Sequence, residues 1–159
     1  MSDSIVTAAM QQMIDHEVDE GVSEVTTTGC RLFARAVGHT DPVFFDETTA
    51  RARGYRALVA PPGYLGTPVT HRGPGTMINV PTPVAELRIP YKRVLAGGTS
   101  YEYLQPVVAG DVVTSRSKIV RFEERLGSIG PMLITYYETA YTRQDGVLVA
   151  KMYGNVIHY

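Results

Sequence analysis

The C-terminal half of the chain alternates apolar and polar residues with a period of two. Over residues 147–159, Leu148, Ala150, Met152, Gly154 and Val156 share one face, and Lys151, Tyr153 and Asn155 take the other. That is the pattern of a strand half-buried in an antiparallel sheet. Further strands are expected at 93–103, 112–126 and 131–143, with a short β-prone run at 22–27. Asp145-Gly146 reads as a hairpin turn and 127–130 as a hairpin loop. Gly97-Gly98 predicts a bulge or a close backbone approach inside its strand. The four C-terminal strands are expected to meander, and Gly154 to leave room for a helix.

The N-terminal half changes period. Cys30, Phe33, Ala34 and Val37 recur at helical spacing behind a cap at Thr27 or Thr28, and Gly38 ends that helix at its C′ position. Residues 38–45 read as loop. Asp46 caps a second helix, which Gly54 ends. Leu58, Val59 and Ala60 enter the interior, and Pro61-Pro62 open a third helix. Gly63, Gly66 and Pro68 keep that helix short by propensity. Residues 67–90, rich in Pro and Gly, read as a loop or flap that exposes His71. Residues 1–20 form an arm or weak amphipathic helix with Ile14 and Val18 on one face and His16 solvated, and 21–159 form one domain. A strand, then helices, then a run of strands implies an α+β fold whose sheet wraps a helix.

Composition narrows the function classes. The 159 residues are 44% hydrophobic, enough for one cored domain. A formal charge of -1 argues against nucleic acid or an anionic membrane as a bulk electrostatic partner. Cys30 is the only cysteine, so no disulfide forms within the chain, and the helical spacing makes it a small buried hydrophobe. The first twelve residues lack a basic-then-apolar signal, and no apolar run approaches the roughly 18 residues of a membrane span. A cytoplasmic protein is expected. The sequence contains no phosphate loop and no metal-ligand spacing.

The stretch Phe33-Ala34, Gly38-His39-Thr40-Asp41-Pro42-Val43-Phe44, then five residues and Ala50, carries a resemblance. It resembles the MaoC-like hot-dog proteins, which include the (R)-specific enoyl-CoA hydratases and acyl dehydratases. Their motif runs aromatic-Ala, Gly-Asp-x-Asn-Pro-aliphatic-His, five residues, small residue. The Gly, Pro, aliphatic and terminal small positions match in register, and the likeness runs from about Val22 to the C-terminus. The resemblance implies a hot-dog fold, with an antiparallel sheet of about five strands around a central helix. It also implies an acyl thioester substrate whose coenzyme A or acyl-carrier arm is part of the substrate, with no metal or redox cofactor.

The chemical positions depart from the motif. Family members hold a water between the Asp and the His and add it across a 2-enoyl thioester, so both groups must titrate. Here those positions are His39 and Phe44, and the motif Asn is Asp41. The His-Gly step whose backbone amide polarises the thioester carbonyl falls at Pro61-Pro62, which lacks N–H groups, although Gly63 supplies one if the register shifts by one. The runs 59–65 and 93–103 are similar to the dehydratase N-terminal-domain subgroup, which often lacks the catalytic pair and works beside an active hot-dog domain. The resemblance therefore implies a non-catalytic acyl-binding subunit, dimerised with itself or with a catalytic hot-dog subunit. Two alternatives stand beside it: an active homodimer using a rewired His39/Asp41 site, and a non-enzymatic acyl-CoA-binding protein. A thioesterase is disfavoured because 59–66 holds no carboxylate. Phe44, Phe45, Pro62, Gly63 and Tyr64 are the expected acyl-binding residues. Arg72, Arg88, Lys92 and Arg93 are candidates for the phosphates of the arm.

Overall fold

The computed structural model describes residues 4–67, 81–128 and 130–159, and the period-two alternation at its C-terminus forms a strand. That strand, β5 (Leu148–His158), turns Ala150, Met152, Gly154, Val156 and His158 inward. It belongs to a five-stranded antiparallel sheet with β1 (Val18–Glu24), β2 (Val94–Tyr103), β3 (Val112–Gly127) and β4 (Gly130–Arg143). The expected short strand at 22–27 thus lies earlier, at β1. The predicted turn at Asp145-Gly146 forms, with Gly146 at φ 83°. The register of β2 shifts between Ala96 and Gly98, where the bulge was expected.

The strand order is β1-β3-β4-β5-β2, so only β3, β4 and β5 meander. The expectation of a four-strand meander is corrected at β2, which pairs with β5 from Val94↔His158 to Tyr103↔Ala150. The reason lies in the connection after β2. Pro106 has no N–H to give to a hairpin, and residues 107–109 are already committed elsewhere. The Ala60 N–H donates to the Val107 carbonyl at 2.9 Å, and the Ala109 N–H to the Leu58 carbonyl at 2.8 Å. β2 must therefore cross to the far edge of the sheet.

The sheet curls, and its inner face carries Ile119, Leu133, Tyr137, Met152 and Val156, all buried against Val25, Cys30, Leu58, Tyr64, Leu65 and Val84. Each fully buried aliphatic side chain here contributes about 2 kcal/mol of transfer free energy. The inner face offers no space to a helix at Gly154. The Tyr137 ring lies directly over that glycine, in the volume a Cβ would occupy.

The helices are short: α1 (Ala8–Gln12), α2 (Thr27–Ala36), α3 (Glu47–Ala52) and α4 (Thr82–Ala85). α2 is capped by Thr26, one residue before the expected position, whose hydroxyl accepts from the Gly29 N–H at 3.0 Å. Cys30 and Ala34 are buried as its spacing predicts, whereas Val37 is exposed. Burial pushes the Cys30 thiol up to about 12, in keeping with an inert side chain. The N-terminal segment is docked rather than loose. Met10 is buried, and Glu124 on β3 accepts from the Ile5 and Val6 N–H groups at 2.9 and 3.1 Å. Val18 opens β1 instead of extending a helical face.

The third helix expected from Pro61-Pro62 does not form over residues 61–67. Two successive turns take its place, with Tyr64 N–H donating to Pro61 O at 3.0 Å and Thr67 N–H to Tyr64 O at 3.3 Å. Gly63 and Gly66 both have positive φ, 86° and 81°, which no right-handed helix accommodates. The expected loop at 67–90 contains α4, where Val84 is buried, as is Leu87 just after it. His71 and Arg72 lie outside the described residues.

Candidate functional site

The end of α2 positions the first candidate. Gly38 N–H donates to Arg35 O at 3.3 Å and His39 N–H to Ala34 O at 2.9 Å, the paired bonds of a Schellman motif. The loop then leaves α2 at a set angle. Asp41 caps the following 3-10 turn, Pro42–Phe44, accepting from the Val43 N–H at 3.0 Å. Arg53, just past α3, places Nη1 at 2.7 and 2.8 Å from the two Asp41 carboxylate oxygens. The Val43 N–H, and then the Arg53 guanidinium, hold the Asp41 carboxyl below the usual carboxylate range. Asp46 caps α3 as expected, accepting from Thr49 N–H at 2.8 Å.

The 3-10 turn swings Phe44 into the wall of a cavity of about 460 Å³. Val43, Val59, Pro61, Leu65 and Val107 supply much of the remaining apolar wall, together with Pro62 and Leu104. Asp41, Arg53, Tyr55 and Tyr103 are its titratable lining groups, and His39 is not among them. The His39 ring instead packs on the outside of Phe44, with centroids 5.2 Å apart and planes tilted by 48°. The site thus brings Asp41 and Phe44 to one cavity and leaves His39 behind the phenyl ring. Among the described residues no imidazole or second carboxylate joins Asp41 in the cavity lining, and the motif's His position is filled by the benzyl group of Phe44, which transfers no proton.

Pro62 lines the cavity, but Phe45, Gly63 and Tyr64 stand outside its wall. The Phe45 carbonyl accepts from Arg31 Nε at 2.8 Å. Tyr64 is 1% exposed in the core, edge-on to Phe33 at 5.8 Å. Gly63 carries the first amide after the two prolines, and that N–H donates to the Tyr103 phenol oxygen at 2.6 Å. Tyr103 stacks on Tyr101, 5.8 Å between centroids and 13° between planes, and the Tyr101 hydroxyl donates to Leu65 O at 2.8 Å. Two tyrosines of β2 therefore pin the 63–65 turn from a strand some forty residues away.

Sequence reasoning did not reach Arg53 or Tyr103, because neither is close in sequence to its partner. It also placed the phosphate-binding candidates elsewhere. Lys92 and Arg93 precede β2, whereas the cavity adjoins its other end, about 30 Å away for ten extended residues. Arg53 is the cation in the cavity lining. Among the described residues no group of three or more His, Cys, Asp and Glu could hold a metal, and no helix is long and apolar enough to cross a membrane.

Residues 12–152 match the family described as FAS1-like, dehydratase domain region. A UPF0336 protein of Parafrankia sp. is 37% identical over 123 residues, which cover 76% of this chain and 74% of that protein. The C-terminally truncated HadBC (3R-hydroxyacyl-ACP dehydratase) complex of Mycobacterium tuberculosis contains a chain that is 25% identical. It covers 91% of this chain and 96% of its own, with a TM-score of 0.69. A chain of the ChsH1–ChsH2 complex of Mycobacterium tuberculosis is 18% identical over 96% of this chain and 97% of that one. Its TM-score of 0.76 is a likeness of fold.

Proposed function

The chain belongs to the FAS1-like dehydratase-region family of MaoC-like hot-dog proteins, and from that footing we propose that it is the non-catalytic, acyl-binding subunit of a heteromeric (R)-specific enoyl-thioester hydratase, the reverse reaction being 3-hydroxyacyl dehydration. The observation that carries this reading is the cavity wall. It has the apolar character of an acyl site, and its lining includes Phe44, the residue that the motif resemblance aligns with the proton-transferring His. The rewired His39/Asp41 alternative finds no support in the geometry, since His39 lies outside the cavity and Asp41 is held ionised by its donors.

The substrate is an acyl-CoA or acyl-carrier-protein thioester, and Arg53 at the cavity is the cation best placed for its anionic arm. The partner is a catalytic hot-dog subunit in the same compartment, for which we infer the cytoplasm. Two features support such a partner. β2 is an edge strand exposed along nearly its whole length, with Val94 and Leu95 each 53% exposed. Both the HadBC and ChsH1–ChsH2 structures are of two-subunit complexes.

The test is hydration of crotonyl-CoA, followed by loss of the enoyl-thioester absorbance. The purified chain alone is expected to give no rate above buffer. Adding a hot-dog subunit that carries the intact Asp and His is expected to restore turnover and to form a stable complex. Robust hydration by the lone chain overturns the reading.

A further inference from the structure

Among the described residues Asp111 is the only buried carboxylate, its side chain 0% exposed. It closes the turn before β3, its N–H donating to Val108 O at 3.0 Å. Its Oδ2 accepts from the Val108 N–H at 2.9 Å, and its Oδ1 receives Arg56 Nη2 and, at 3.4 Å, Gln144 Nε2. Arg143, another cation that senses Asp111, is bound to Asp145 at 2.7 Å. Arg56 and Val108 belong to the two stretches that frame the cavity. Arg53, Tyr55 and Val59 line it on either side of Arg56, and Pro106 and Val107 line it just before Val108. Backbone bonds join the two stretches only from Leu58 onward, through Leu58 O, the Ala60 N–H and the Val59–Val108 bridge. Nearer α3, the side-chain link across them is the Arg56–Asp111 pair. Taking a carboxylate out of water is costly, and the attraction of a guanidinium on a side chain 58% exposed is screened. Such a pair is a poor source of net stability.

We infer that Asp111 is a positioning residue for the cavity. Through Arg56 it holds the stretch between α3 and Leu58 against the loop at 104–108, and so fixes the spacing of the two walls. Asp111 itself does not line the cavity; it acts on Tyr55 and Arg53, which do. The tie is a property of these residues alone, and its value for acyl recognition rests on the reading proposed above.

The experiment compares the full-length wild type with Arg56→Met and with the double variant Arg56→Met/Asp111→Asn. The single variant leaves a buried carboxylate without its cation, and its thermal midpoint is expected to fall by about 5 °C or more. In the double variant the buried charge is gone and the Asn oxygen still accepts from Val108, so the midpoint is expected within about 3 °C of wild type. Well below that midpoint, hydrogen exchange at the Tyr55, Val59 and Ala60 amides is nevertheless expected to quicken about tenfold in the double variant, with β4 and β5 keeping wild-type rates. Affinity for S-hexanoyl-pantetheine is expected to fall about three- to tenfold alongside it. Unchanged exchange at 55–60 overturns the inference. So does a rise spread evenly over the sheet, which would make the pair a general stabiliser, and so does faster local exchange with undiminished affinity. A wild type that binds no probe overturns the acyl-binding reading alone, and the exchange comparison then decides the tie.

Discussion

His158 shows how much a single interior side chain can reveal. It sits near the end of β5, 8% exposed, and its Nδ1 finds no hydrogen-bond partner among the described residues. The Thr135 hydroxyl, two residues from His158's cross-strand partner Leu133, is equally unpartnered. Burial holds the His158 imidazole below its ordinary 6.5. The unfolded chain therefore binds a proton more readily than the folded one. Stability is complete above pH 6.5, and it declines as the pH falls from there toward the lower folded value. Urea midpoints taken from pH 7.5 down to 5 are expected to drop in wild type and to drop less in His158→Phe. That variant also removes an unsatisfied nitrogen at little cost. Equal slopes in the two proteins would assign the acid sensitivity to other groups.

At the scale of elements, Gly154 is the sharpest case. A methyl group there meets the Tyr137 ring, so Gly154→Ala is expected to destabilise the fold by about 1–3 kcal/mol, measured as a shift in chemical denaturation. A Tyr137→Ala background should absorb most of that loss. What could be read from sequence and what could not divide along the same line. The alternation in β5, the Asp46 cap, the Gly38 stop and the Asp145-Gly146 turn are local, each set by residues a few positions apart, and each forms where expected. The crossing of β2 to β5, the Tyr137 ring over Gly154, the Arg53 clasp on Asp41 and the Tyr103 bond to Gly63 join residues 12 to 64 positions apart. Nothing in the local pattern encodes them. The turns at 61–67, where the start of a third helix was expected, lie between these cases. Their glycines were visible, but only the pull of Tyr101 and Tyr103 explains why the turns settle where they do.

For the whole molecule, the cavity and the open edge of the sheet meet at one place, since Tyr103 belongs to both. A subunit docking along β2 would close the cavity while burying Val94 and Leu95. Replacing both residues by Asp is expected to weaken association with the proposed hot-dog partner by at least about tenfold in sedimentation or titration, the effect of losing 1.4 kcal/mol or more. The thermal midpoint of the lone chain should stay near wild type, because both side chains already face solvent. Full-strength association by the double variant would move the interface elsewhere. The phenyl group of Phe44 has a last consequence. A surface that performs no proton transfer is under no obligation to keep its contour. On the proposed acyl-binding role, its bulk can drift, residue by residue, toward longer, shorter or branched acyl tails while the reaction itself stays intact in the proposed partner. Exchanging this polypeptide for a sister copy would then retune which lipid is processed, much as changing the jaw of a clamp alters what it grips and leaves the screw untouched.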